Sequence, residues 1–399
     1  NLSILLINEL PQHLRKKNLM KQKGKLVWLL FIHISITNIS LQVFAQEKPT
    51  VKLGGALRFQ YNYSNWKEDN KNKGGDFAYD VFRLNANVVY KKLQLNAEYR
   101  FYPTSSGGGM LKSGWVGYHF NESHQLQVGL TEVPFGILPY TSNNFFFNIN
   151  YYLGLEDDSD MGLKYVYQKG KWNISLAFFK NSDLLDYSEN KEISDSRYAY
   201  DIAGRNKEAN QFNARITYNW GTIWKQQLGV SGMTGGLYNL DTKRMGEHKA
   251  FASHYTIDYK HWNFKAQYTY YKISPQNKDG DNNTIVSVTA YGAPYNIASE
   301  ADTYSASLSY TLPIHKGILD EIQFYNDFSM IDKREADFND SFQNITGCML
   351  SMGPIYTYID YALGRNHAWL GNEWSDAFAQ GVTSKKWHTR FNVNIGYYF

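Results

Sequence analysis

From Val51 onward, apolar and polar residues alternate with a period of two in one segment after another. In residues 386–399, Trp387, Thr389, Phe391, Val393, Ile395, Tyr397 and Phe399 fall on one face. His388, Arg390, Asn392, Asn394 and Gly396 fall on the other. A strand sends successive side chains to opposite faces, so each such segment predicts a strand with one apolar and one polar side. About sixteen segments follow this pattern, from Val51–Tyr63 and Phe77–Tyr90 to the last. The connections after even-numbered segments are short, as at Lys91–Lys92 and Lys169–Gly170, and those after odd-numbered ones are long. A soluble sandwich gives no reason for that alternation. An all-β transmembrane barrel of antiparallel up-and-down strands does, with short periplasmic turns and long extracellular loops. The aromatic strand ending at Phe399 suits the strand that closes such a barrel. One more β-like piece, Thr284–Tyr291, reads as a hairpin above the membrane; were it to cross with a partner, the count would be eighteen.

Composition sharpens this picture. Aromatic residues are 16% of the 399-residue chain, with 32 Tyr and 10 Trp, while the mean hydropathy is −0.50. Helical spans need about 20 nearly continuous apolar residues; a barrel needs only alternation and interfacial aromatics. The single cysteine, Cys348, allows no internal disulfide. The net charge of +4 is misleading, because Arg15, Lys16, Lys17, Lys21, Lys23 and Lys25 face only Glu9 in the first 45 residues. Of 41 basic and 37 acidic residues, 35 and 36 remain, a net of −1, so no nucleic-acid role follows. Met20 opens a basic run, an apolar run and a small residue at Ala45, the order of a cleavable signal peptide. Residues 1–45 are therefore expected to be an upstream extension plus signal peptide, and 46–399 a single outer-membrane barrel domain in a Gram-negative bacterium.

The chemistry expected of this barrel is that of its lumen. Period-two assignment points Lys52, Arg58, Arg83, Arg100, Lys164, Arg215, Lys265 and Arg390 inward, with Glu98, Asp258, Glu321 and Asp327. Rings of Arg or Lys favour anions in a pore. Two readings stand: mild anion selectivity, or an ordinary mixed polar lumen. The stretch 132–160 interrupts the strands at Pro134, Phe135 and Gly136 and then carries Phe145, Phe146 and Phe147, too apolar for a solvated loop. It is expected to fold inward and narrow the channel. Glu156, Asp157, Asp158 and Asp160 could gather a Ca²⁺ ion; a solvated acidic tip is the plainer reading. No metalloprotease, nucleophile-elbow or phosphate-loop motif is present. The expectation is a non-enzymatic pore for small hydrophilic solutes, needing no cofactor. The alternatives are an outer-membrane barrel hydrolase with dispersed triad residues and a plugged structural or adhesion barrel.

Residues Gln127–Ile137, QVGLTEVPFGI, carry a strand into a Pro-Phe-Gly break and a Ser/Asn-containing segment. Together with the aromatic end at Phe399, this resembles the phosphate-selective porin O and P family. The resemblance implies a sixteen-stranded, usually trimeric outer-membrane porin with a basic lumen. It also implies small anions, phosphate among them, as solutes, and a terminal Phe399 of the kind read by the barrel assembly machinery. That family's dense inward arginine ladder is not evident here, because the inward basic residues are spread over many strands.

Overall fold

A computed structural model describes residues 48–182 and 197–399. The leader read over residues 1–45 lies outside the described residues. Among these, sixteen strands close a barrel. Its first seven strands are β1 (Thr50–Ser64), β2 (Asp76–Tyr90), β3 (Leu93–Phe101), β4 (Gly109–Asn121), β5 (His124–Glu132), β6 (Ser159–Lys169) and β7 (Trp172–Asn181). After the two-residue β8 (Asp201–Ile202) come β9 (Asn206–Trp220), β10 (Trp224–Asn239), β11 (Met245–Tyr259) and β12 (Trp262–Ser274). The short β13 (Ile285–Thr289) and β14 (Tyr295–Ala298) precede β15 (Glu300–Lys316), β16 (Leu319–Lys333), β17 (Ser341–Met352), β18 (Ile355–Arg365) and β19 (His388–Tyr398).

The piece around Thr284–Tyr291 does not cross. It becomes β13, which pairs with β14 and β8 in a separate three-stranded sheet, so the wall has sixteen strands and not eighteen. Closure runs through β1 and β19, from Ala56 opposite Tyr398 to Ser64 opposite Arg390. Gly55 and Phe399 add a reciprocal pair of backbone hydrogen bonds at 2.8 and 3.1 Å. Every strand of the barrel wall is thereby paired on both sides, and the wall presents no edge for another chain to extend.

The alternation read from the chain is the alternation of the wall. On β19, Asn392 and Asn394 are buried inside while Phe391, Ile395 and Tyr397 are exposed outside. The same outer face carries Leu57, Leu84, Val116, Leu163, Phe212, Val230, Phe251, Leu308 and Phe328. Phe212 alone leaves 58% of its surface uncovered by protein. An apolar surface this continuous is stable only against hydrocarbon. Val230, opposite Ile216 on this face, offers a direct check. Val230→Arg is expected to cost about 2–4 kcal/mol of stability in lipid, read as reduced refolding yield into vesicles, whereas a polar substitution at lumenal Asn392 lacks that lipid penalty.

The long connections form a second core. Ile149, Tyr151, Tyr152, Tyr200, Ile202, Val286, Val288, Tyr295, Ile297 and Phe378 are each at least nine-tenths buried in one cluster. It joins the 133–158 loop, the segment around β8, the β13–β14 hairpin and the last long loop. Tyrosine suits this place, since its ring fills volume while its hydroxyl finds a partner. Tyr151 and Tyr291 share a hydrogen bond of 2.6 Å, and Tyr295 donates to the Tyr152 carbonyl at 2.6 Å.

Candidate functional site

The 133–158 loop is built by three local devices. The Pro-Phe-Gly break ends β5 and turns the chain against the wall. Gly136 takes a φ of 61°, and a Cβ there would lie 2.6 Å from Gln267 Oε1, so only glycine fits the close approach. The turn is then stapled: Gly136 N donates to Ser231 Oγ at 2.9 Å, Ile137 N to Gln267 Oε1 at 2.8 Å, and Arg215 Nε to the Gly136 carbonyl at 2.7 Å. The asparagines of SNNFFFNINYY make side-chain turns, Asn144 accepting from Phe146 N and Asn148 from Asn150 N, both at 2.7 Å. Phe147 sits at φ 60°, an unusual conformation for a bulky residue. It is held by stacking on Tyr151 at 4.4 Å and by Gln343 Nε2 donating to its carbonyl at 2.8 Å.

The loop's middle is fixed by Asp327 of β16. That carboxylate accepts from Asn143 N at 2.8 Å, Asn144 N at 2.9 Å, Asn144 Nδ2 at 2.7 Å and Ser307 Oγ at 2.5 Å. Asn150 and Ile149 are tied to Thr303 and Ser329 on β15 and β16. These anchors belong to β9–β17. The loop reaches the other side at fewer points, through the Phe145 amide on Asp360 of β18 and through Asp157 on Lys112 of β4 at 2.6 Å.

A cavity of about 750 Å³ lies between the loop and strands β18, β19 and β1–β4. Its cations come from neighbouring wall strands: Arg390 on β19, Arg58 on β1, Arg83 on β2, Arg100 on β3 and Lys112 on β4. Most are matched by carboxylates. Arg58 Nε lies 2.8 Å from Asp80, Arg100 Nε 2.6 Å from Glu98, Arg83 Nη1 3.9 Å from Glu98, and Lys112 Nζ 2.6 Å from Asp157. Arg83 and Arg100 stand directly opposite in the β2–β3 register, a like-charge pairing that costs stability unless bridged; Glu98 is the bridge. Lys67 completes the cationic lining and Asp76 and Glu132 the acidic one, six against five. Arg390 donates to Ser64 Oγ at 3.1 Å and lies over Trp66 and Phe146, with no carboxylate in ion-pair range among the described residues.

The structure sorts the residues read from the sequence. Arg58, Arg83, Arg100 and Arg390 line the cavity. Lys52 does not: it precedes Ala56, the first residue of β1 paired with β19, and is exposed. Lys164 and Arg215 point inward but serve the loop, Lys164 Nζ donating to the Glu132 carbonyl at 2.8 Å and Arg215 to Gly136. Lys265 faces Ser307 on the wall that carries the loop. Pro134 and Phe135 are buried beside Gly136; Phe146 packs with Ile345, Ala362 and Leu370, while Phe145 lies under Arg58. The four acidic residues do not converge. Asp157 pairs with Lys112 and accepts from Tyr198 at 2.5 Å, and Glu156 turns into the loop. Only Asp158 and Asp160 meet, joined by Asp201, with carboxylate oxygens within 4.8 Å of one another. Lys112 was hidden from period-two reading by a bulge, since β4 carries one extra residue where Glu98 pairs Ser113 and Tyr99 pairs Leu111.

Glu156 is 5% exposed and accepts from Thr141 N and from Asn148 Nδ2. Burial pushes its carboxyl from the ordinary 4.5 up to about 7. The packed loop thus prefers the neutral form. Its stability is full below pH 4.5 and is lost as the pH rises through 7, by about 3 kcal/mol. Glu156→Gln is expected to abolish the pH dependence of protease protection of the loop; an unchanged profile would assign it to another group.

No protein-family model and no curated protein matches the chain. Solved structures match the fold. OmpT, an outer membrane protein of Vibrio cholerae, in its trimer form, aligns with a TM-score of 0.57 at 14% identity, over 88% of this chain and 100% of that one. An anion-selective porin from Comamonas acidovorans gives 0.55 at 13% identity, over 88% and 100%. The outer membrane channel DcaP of Acinetobacter baumannii gives 0.53 at 13% identity, over 88% and 98%. At such identities the likeness is one of architecture: this chain is a closed, sixteen-stranded, antiparallel β-barrel of the kind found among outer-membrane porins.

Proposed function

We propose that this barrel is a porin of a Gram-negative outer membrane, passing small hydrophilic solutes by passive diffusion along the basic sector of its wall. The observation that carries this reading is the cavity between the loop and the wall. Most of the loop's anchors lie on β9–β17, with single ties to β4 and β18, and a polar, charge-lined cavity lies between it and strands β18 through β4. The similarity in architecture to an anion-selective porin and to DcaP supports it. Six cations against five carboxylates give weak anion preference. A strongly phosphate-selective path would need several cations free of carboxylates, and most of these are paired. Trimeric assembly, and Phe399 as the signal for barrel assembly, belong to the same proposal.

The aromatic core formed by the long loops favours one other reading, a barrel kept shut as a structural element. A hydrolase draws no such support: His254 and His367, both buried, meet Gln227 and Gln343 through Nε2 at 3.2 and 3.1 Å. Liposome swelling separates pore from plug. Vesicles containing the refolded protein are expected to swell in isotonic arabinose and progressively less in larger sugars. Swelling no faster than protein-free vesicles would establish the plug.

A further inference from the structure

We propose, building on the porin reading, that the cavity selects ring-bearing monocarboxylates over compact anions. The charge on its walls sets the valence. Asp80, Glu98 and Asp157 already occupy the faces of Arg58, Arg100 and Lys112 turned toward them. A dianion entering there would meet those carboxylates as well. The surplus is one positive charge, and Arg390 and Lys67 are the lining cations without a carboxylate in ion-pair range among the described residues. Arg83 is incompletely matched as well: its only carboxylate is at 3.9 Å, and its buried Nε has no hydrogen-bond partner.

The remaining lining is aromatic, and this sets the shape of the solute. Tyr140 projects from the loop, 39% exposed and braced edge-on by Phe147 at 5.3 Å. Tyr358 and Tyr398 come from the wall, and Phe145 and Trp369 from the loops. The guanidinium groups lie over rings too, Arg58 over Phe145 at 5.3 Å, Arg83 over Tyr398 at 5.1 Å and Arg100 over Tyr198 at 4.3 Å. A ring reaching this cavity meets aromatic faces within reach of a cation, an arrangement that rewards stacking together with one carboxylate. The volume of about 750 Å³ is in the range that encloses a molecule of that kind.

The test uses planar bilayers containing the purified protein, with benzoate, acetate or phosphate added to one side and the block of chloride current recorded. Benzoate is expected to reach half-block at a concentration about tenfold below acetate and below phosphate. Tyr140→Ala should shrink the benzoate–acetate gap, and Arg390→Gln should weaken both carboxylates together. Equal half-block by benzoate and acetate, or tighter block by phosphate, would overturn the ring selectivity and leave the porin standing. Absence of any current would overturn both.

Discussion

Replacing Asp327 by alanine is expected to release the middle of the constriction loop and raise single-channel conductance. The carboxylate accepts five hydrogen bonds, four of them from Asn143 and Asn144 of the loop. It is 4% exposed, so both loop amides lose their only strong acceptor in a site that water reaches poorly. Breaking a buried charged anchor of this kind costs about 3–5 kcal/mol. That exceeds what the tethers at Asn150 and Ile149 can restore locally, since a neutral hydrogen bond nets about 1 kcal/mol. The barrel itself should survive, because the wall's pairing does not involve the Asp327 side chain. The expected signature is larger, noisier channels with an unshifted melting of the β-sheet signal by circular dichroism. Asp327→Asn, which keeps one acceptor oxygen, should fall between. Native conductance in the alanine variant would show that the loop is held without this anchor.

Glu98→Gln is expected to turn weak anion preference into a pronounced one. Glu98 lies 2.6 Å from Arg100 and 3.9 Å from Arg83 and also accepts from Asn85 at 2.7 Å. Gln occupies nearly the same volume and can keep the Asn85 contact, but it removes the charge that neutralises two opposed arginines. The lining then goes from six against five to six against four. One added charge beside the path is worth about 1 kcal/mol after screening, a factor of about five in the anion-to-cation ratio. The reversal potential under a salt gradient reports it, and the effect should fade at high salt. Some loss of stability should accompany it, because Arg83 and Arg100 then face each other unbridged. A reversal potential unmoved by this change would mean that permeating ions do not pass these residues.

The wall was legible in the sequence for a simple reason. Each strand separates lipid from water, so each writes its orientation into every second residue, and the short turns keep the count. The inward-breaking loop was legible too, because Pro134, Phe135, Gly136 and the three phenylalanines fit neither a strand nor a solvated loop. What the pattern could not carry was adjacency. Arg390 and Arg58 stand far apart in the chain, yet closure makes β19 and β1 neighbours, and a basic sector appears that looked scattered. Nor does alternation say what covers an inward residue. Lys164 and Arg215 face inward like Arg58, but the loop consumes them as tethers. Lys112 was lost to a one-residue bulge, and the tyrosines of the loop core to the absence of any period in the segments that bear them.

The most direct test of the account is the reversal potential of the purified protein in a planar bilayer under a salt gradient, measured for the native chain and after neutralising Arg58, Arg83 and Arg100. The account predicts steady conductance with weak anion selectivity that turns to cation selectivity once these arginines are gone, because Asp80 and Glu98 then stand alone. Conductance with a reversal potential indifferent to the three changes would contradict it, and so would a bilayer that stays silent.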